Sequence, residues 1–301
     1  MEEKNRDMQR YLQAIACLTP RLMHEALSVP EELGARAEEV RLRCGWPLSL
    51  VCEGRELALD GEAVAASELR EILSRAARYS VHSYQEDLSR GFLPLEGGHR
   101  LGLCGTVARS GGEIVGYRVL SSLCIRVARE IPGAADRAFE RVFTGERCKS
   151  ALIVAPPGLG KTTLLRDLIR RASGMGLRVG VADERSELAA LHGGQPQFDL
   201  GGCVDVIEGA DKSEAALRLI RTMSPQVLVM DEITEERDLR AAQMAAHCGV
   251  TVLATAHGID GADLSRKPLF RELFDRKVFE MLLIIHRENG VRTVAAEDLP
   301  C

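Results

Sequence analysis

From about residue 150 onward the chain repeats one hydropathy pattern. A short unbroken apolar run is followed by a longer stretch whose apolar residues return every three or four positions. The runs are SALIVA, LRVGVAD, QVLVMDE and GVTVLATAH. Unbroken apolar runs suit strands covered on both faces, and helix-period stretches between them suit crossover helices. The pattern predicts an α/β domain with a mostly parallel sheet. A longer, less regular segment follows the second run. The end, VFEMLLIIHRENGVRTVAAE, sets a turn-like ENG between two β-rich runs and predicts a hairpin added to the sheet edge.

The first half has a different texture. Short β-rich pieces, EVRLR, LSLVCEG, HRLGLCGTVA, EIVGYRVL and CIRVAR, are separated by turn-forming Gly and Pro clusters. Helices are expected at roughly 5–18 and 67–79, the second capped by Ser67 with Ile72, Leu73 and Ala76 on one face. This half reads as a smaller α+β domain over 1–130. A linker is expected over 131–148, with a short helix inside it, and the α/β domain over 149–301.

Composition narrows the function classes. The formal charge is −5 across 301 residues, with one Trp, four Tyr and seven Phe. A nucleic-acid translocase would want a basic groove or stacking platform, so nucleic acid is not an expected partner. The nine Cys form no CxxC pair and read as reduced thiols of a cytoplasmic protein. The charged MEEKNRDMQRYLQ start shows no secretion signal, and no apolar run is long enough to span a bilayer. Any work at a membrane is expected to be peripheral.

The chemistry concentrates at the ends of the apolar runs. After SALIVA comes Ala155-Pro156-Pro157-Gly158-Leu159-Gly160-Lys161-Thr162-Thr163, a P-loop with Ala in its first position, where any small residue serves. Gly158 and Gly160 leave the backbone free to wrap N–H groups around phosphate. The following helix adds the partial positive charge of its N-terminus. Lys161 is the point charge for the β/γ oxygens, and the Thr162 hydroxyl is a Mg²⁺ ligand. QVLVMDEIT ends in Asp231, the expected metal carboxylate of Walker B type, and Glu232, the candidate base for the attacking water. VGVADERSEL delivers Asp183, Glu184 and Glu187, of which Asp183 or Glu184 is expected near the γ-phosphate and its water. TVLATAHG delivers Thr255 and His257, positioned to report the γ-phosphate. ATP with Mg²⁺ is the expected cofactor pair, and an ATP-hydrolysing motor the leading function. The alternatives are an ATP-binding switch with little turnover or a nucleic-acid translocase on the same core.

With these residues assembled, the chain resembles the stage III sporulation protein AA family, related to the ATPases of type II and type IV secretion and of type IV pili. HRLGLCG, SSLCIRVARE, APPGLGKTTLLRD, ADERSEL, MSPQVLVMDEI and ATAHG carry the resemblance, which covers nearly the whole chain. It implies a RecA-like P-loop domain behind an N-terminal domain and a hexameric ring. Residues 183–187, with Asp183 as a metal ligand and Glu184 and Glu187 as catalytic acids, resemble the acidic box of secretion ATPases, and residues 255–257 their histidine box. The resemblance also implies a mother-cell protein that energises a channel to the forespore, with membrane proteins of that complex as partners. A ring ATPase needs a cation from a neighbouring subunit. The first half offers Arg90, Arg100, Arg118, Arg126 and Arg129, and Arg126 and Arg129 in CIRVARE resemble the interdomain arginines of secretion ATPases.

Overall fold

Each of the four apolar runs is a buried strand, and all four lie in one sheet. The structure is a computed structural model that describes residues 2–78, 88–89, 91–145, 147–288 and 291–299. The chain divides into two units, Met1–Arg129 and Glu130–Cys301.

The first unit is built on a six-stranded antiparallel sheet: β1 (Ala37–Arg43), β2 (Ser49–Cys52), β3 (Arg55–Ala58), β4 (Phe92–Pro94), β5 (Arg100–Ser110) and β6 (Glu113–Arg126), ordered β3-β2-β1-β6-β5-β4. Leu42, Leu50, Leu101 and Ile125 from the strands are buried with Tyr11, Leu22, Leu69 and Ile72 from the helices. The Tyr11 hydroxyl keeps a partner in this core by donating to the Ala26 carbonyl at 2.9 Å. Three expectations need correction. The first helix stops at Ile15, and a second begins at Pro20 (Pro20–Leu27), where proline's fixed φ suits a helix start. The helix expected from Ser67 runs from Ala66 to Ala76, and its N-terminus is secured by Glu68, whose carboxylate accepts the Ala65 N–H at 2.9 Å. The runs at 113–120 and 124–129 form one long strand, β6, which ends at Arg126.

The second unit carries a seven-stranded sheet ordered β11-β10-β12-β13-β9-β14-β15. Its strands are β9 (Ala151–Ala155), β10 (Val179–Asp183), β11 (Val204–Glu208), β12 (Val227–Glu232), β13 (Thr251–His257), β14 (Met281–Glu288) and β15 (Val291–Asp298). Every neighbouring pair is parallel except β14–β15, the expected edge hairpin. β9 and β10 are buried along their whole length, as strands covered on both faces must be. The fold is the mostly parallel α/β architecture expected. β11 was not anticipated: Asp205 and Glu208 break its apolar run, and it is only half-buried because it forms the sheet edge. Residues 131–148 hold a helix (Asp136–Val142) and a two-strand hairpin of β7 (Phe143–Thr144) and β8 (Arg147–Cys148). Because the strands are parallel, Ala155, Asp183, Glu232 and His257 all end at one edge of the sheet, where ligands bind in open α/β folds.

Candidate active site

β9 passes through Pro156–Gly160 into the helix Lys161–Gly174. Gly158 has φ +77° and Gly160 φ +85°, left-handed values that let the loop curl and enter the helix without a Cβ penalty. Lys161, the first helical residue, is buried, and its side chain folds back along the loop. Its Nζ donates to the carbonyls of Ala155 (3.0 Å) and Pro156 (3.3 Å) and lies 2.8 Å from His257 Nδ1. Burial pulls the lysine's pKa down, against the opposing pull of Glu232, Asp231 and Glu187. Thr162 and Thr163 occupy the first turn and are half-buried.

His257 links the cradle to the neighbouring strand tip. Its other ring nitrogen, Nε2, lies 2.8 Å from Glu232 Oε1. An ammonium at Nδ1 can only donate, so Nδ1 accepts and the proton sits on Nε2, donating to Glu232. Lys161, His257 and Glu232 thus form a continuous chain of hydrogen bonds from the P-loop to the tip of β12. Arg185 Nη1 closes on the other Glu232 oxygen at 3.4 Å.

Asp231 sits in a β-bulge. Met230 pairs with Ala254 and Glu232 with Thr255, leaving Asp231 as an extra residue in that ladder. The slip re-aims the strand end, so both acids serve one edge. Asp231 is 5% exposed. Burial first, then the nearby carboxylates of Glu187 and Asp183, push its pKa up to about 7. Thr255 is buried, and its carbonyl accepts the Ile233 N–H at 2.9 Å.

The acids of the 183–187 segment take different partners. Asp183 is fully buried and accepts three backbone N–H bonds, from Glu187 (2.9 Å), Leu188 (3.0 Å) and Ala189 (2.8 Å). Its carboxylate organises the loop beyond β10. Glu184 pairs with the buried Lys212 at 2.9 Å, which also lies 3.4 Å from Asp238. Glu187 stays close enough to influence both Asp231 and Lys161. Its position is fixed through its backbone: Arg166, stacked 3.6 Å over the Phe198 ring, donates to the Glu187 carbonyl at 2.7 Å and the Leu188 carbonyl at 3.2 Å. The structure therefore gathers Lys161, His257, Asp231, Glu232 and Glu187; Asp183 lies near Asp231 with its oxygens taken by backbone N–H groups, and Glu184 is paired with Lys212.

Sequence reasoning missed Arg185, Arg166, Lys212 and Arg292 as contributors to this edge. Arg185 and Arg166 lie within or beside quoted motifs, so only their geometry was absent. Arg292 of β15 reaches the P-loop from the opposite side, donating from Nη2 to the Gly160 carbonyl at 3.1 Å. An arginine in an alternating edge strand gives no local signal of such a contact.

The arginines expected to act on a neighbouring subunit lie in the first unit. Arg126 is exposed at the end of β6, opposite Glu39 and Arg100. Arg129 donates to the Ala37 carbonyl at 2.8 Å and lies 3.9 Å from Asp7. Both line a cavity of about 280 Å³ with Glu38, Glu39 and Val127. Arg90 lies outside the described residues.

Residues 3–296 match the family described as sporulation stage III, protein AA. The chain belongs to that family. It is 37% identical over 287 residues to stage III sporulation protein AA of Bacillus subtilis (strain 168), covering 93% of each chain. Among solved structures, the fold is similar to the Legionella pneumophila ATPase DotB, with 16% identity, a TM-score of 0.62, and coverage of 93% of this chain and 80% of that one. It is also similar to the pilus retraction motor PilT with bound ADP, with 17% identity, a TM-score of 0.59, and coverage of 92% and 81%. These likenesses show that this family member shares its fold with the DotB ATPase and the PilT pilus retraction motor. Among the described residues, no helix is long and apolar enough to cross a membrane.

Proposed function

We propose that this protein is a Mg²⁺-dependent ATPase that works as a motor, with ATP seated on residues 155–163. The observation that carries this reading is the unbroken hydrogen-bonded path from Lys161 through His257 to Glu232, beside the buried Asp231. A triphosphate on the P-loop would take the Lys161 ammonium as a partner for its terminal oxygens. It would also bring its γ-phosphate to the edge where Glu232 and His257 converge. Glu232 then accepts a proton from the attacking water, and the His257 N–H holds that carboxylate in place. Glu187 adds negative charge beside Asp231.

The residues fit a hard divalent cation. Asp231 is a buried carboxyl pressed by two neighbouring carboxylates, an environment that a cation relieves, and Thr162 offers a hydroxyl in the first helical turn. Among the described residues, no cluster of three His, Cys, Asp or Glu side chains forms a self-sufficient metal cage. Mg²⁺ takes a few protein ligands and completes its shell with phosphate and water. Bound there by Thr162 and, through water, Asp231, Mg²⁺ would neutralise charge on the phosphates. Asp183 is reassigned from metal ligand to loop holder, and Glu184 from the catalytic acids to the Lys212 pair. The ADP bound to PilT and the ATPase DotB, both on this fold, support nucleotide chemistry here.

The family resemblance extends the reading to a ring, hexameric by analogy, that energises a mother-cell complex facing the forespore through membrane-protein partners. Arg126 or Arg129 would supply charge to a neighbour's nucleotide. ATP turnover by wild type, Lys161→Ala and Glu232→Gln, measured across protein concentration, tests the motor. Turnover that rises with assembly, with Lys161→Ala inactive and Glu232→Gln binding without hydrolysing, supports it. Tight binding with no turnover at any concentration would leave the switch as the function. Unchanged turnover per assembled subunit in the Arg126→Ala/Arg129→Ala protein would remove the arginines from it.

A further inference from the structure

Arg292 occupies an electrostatically unfavourable position. Its guanidinium lies over the turn at Gly160: a Cβ placed on that glycine would come 3.0 Å from Nη1 and 3.2 Å from Cζ. Gly160 is the N-cap of Lys161–Gly174, so the cation faces the positive end of a helix dipole, which favours anions. Its one hydrogen bond among the described residues goes to the Gly160 carbonyl, which also accepts the Leu164 N–H at 3.0 Å. Among the described residues, its Nε is buried without a partner. The residue directly across the β14–β15 ladder is Arg287, another cation, and like charges facing each other across a pair are destabilising. Burial lowers the Arg292 pKa. A strut for the P-loop needs no charge, and an uncharged side chain would avoid all these costs. A guanidinium held here fits an anion at the same turn.

Resting on the nucleotide reading above, we infer that Arg292 is a nucleotide-binding residue supplied in cis, which contacts the α/β-phosphate portion shared by ATP and ADP. Strand order gives the assignment. β9 lies between β13 and β14, so Lys161 meets His257 and Glu232 on one side of the loop and Arg292 approaches from the other. The γ-phosphate chemistry belongs to the β12–β13 side. Arg292 therefore serves the part of the nucleotide that hydrolysis leaves behind, and it ties the edge hairpin to occupancy by either nucleotide.

The test is Mg·ADP affinity by calorimetry together with kcat and KM for ATP, in wild type, Arg292→Ala and Arg292→Lys. Loss of a charge-assisted contact predicts ADP affinity about 10- to 100-fold weaker in Arg292→Ala, KM for ATP raised by a similar factor, and kcat within about twofold. Arg292→Lys, which keeps the charge, should recover part of the affinity. Unchanged ADP affinity in a folded Arg292→Ala protein overturns the inference, as does a loss of kcat with KM unchanged. Equal loss in Arg292→Ala and Arg292→Lys without any recovery of charge-dependent binding also overturns it. A wild type that binds no Mg·ADP refutes the nucleotide reading itself, and that result is separate from any effect of position 292.

Discussion

Replacing Asp183 separates a loop-holding role from a metal-binding one. Its carboxylate accepts N–H bonds of 2.8–3.0 Å from residues 187, 188 and 189. Leu188 and Ala189 are fully buried, so water cannot replace a lost acceptor there, whereas half-buried Glu187 can turn to solvent. Two stranded donors at about 1–3 kcal/mol each predict that Asp183→Ala lowers the stability of the second unit by roughly 2–6 kcal/mol. Asp183→Asn keeps one oxygen, enough for the pair of bonds from Leu188 and Ala189, and turns its NH₂ toward the Glu187 N–H. Its cost should be smaller, about 1–2 kcal/mol. Urea denaturation followed by far-UV circular dichroism gives the stability loss, and hydrogen exchange of 184–191 localises it. The reasoning fails if Asp183→Ala leaves stability and loop protection intact while Mg²⁺-dependent nucleotide binding falls tenfold or more.

His257→Gln removes the imidazole that joins Lys161 to Glu232; a drop in kcat of about 10- to 100-fold with ADP affinity retained is expected in phosphate-release assays. In the first unit, burial first and then the Arg10 guanidinium hold His99 down to about pH 3, and its Nδ1 accepts the Ala128 N–H at 2.9 Å. The folded state keeps this ring neutral while the unfolded chain protonates near pH 6.5. Stability is therefore full above that value and falls by about 1.4 kcal/mol per pH unit below it, down to about pH 3. Hydrogen exchange of the first unit between pH 7 and 4.5 should show this loss, and His99→Asn should remove it. Asp231 has the opposite slope: its folded pKa near 7 exceeds the unfolded value, so the second unit loses up to ~4 kcal/mol as pH rises from about 4 to 7. Denaturation of Asp231→Asn across that range should be flat by comparison.

The parallel sheet was legible because four strands bury both faces, which forces unbroken apolar runs such as ALIVA and VLVM. β11 escaped because an edge strand is spared that requirement. The P-loop and the Asp231–Glu232 strand end were legible from residue type and spacing. The division of work within ADERSE was not, since three carboxylates near one strand end look alike until backbone N–H groups claim Asp183 and a lysine claims Glu184. Arg292 stayed hidden because its contact with Gly160 spans more than half of the second unit in sequence.

The one-residue slip in β12 makes the order of the two acids matter. In a regular strand, neighbours face opposite sides, and transposing Asp and Glu would exchange one face for the other. Here the shorter side chain fills the closed space beside Asp183 and Glu187, while the longer one spans the gap to an imidazole 2.8 Å away. The D231E/E232D double substitution preserves charge, length and composition, yet it puts each carboxylate at the wrong reach. Two adjacent acids thus behave as one directional element, read in a single sense along the chain.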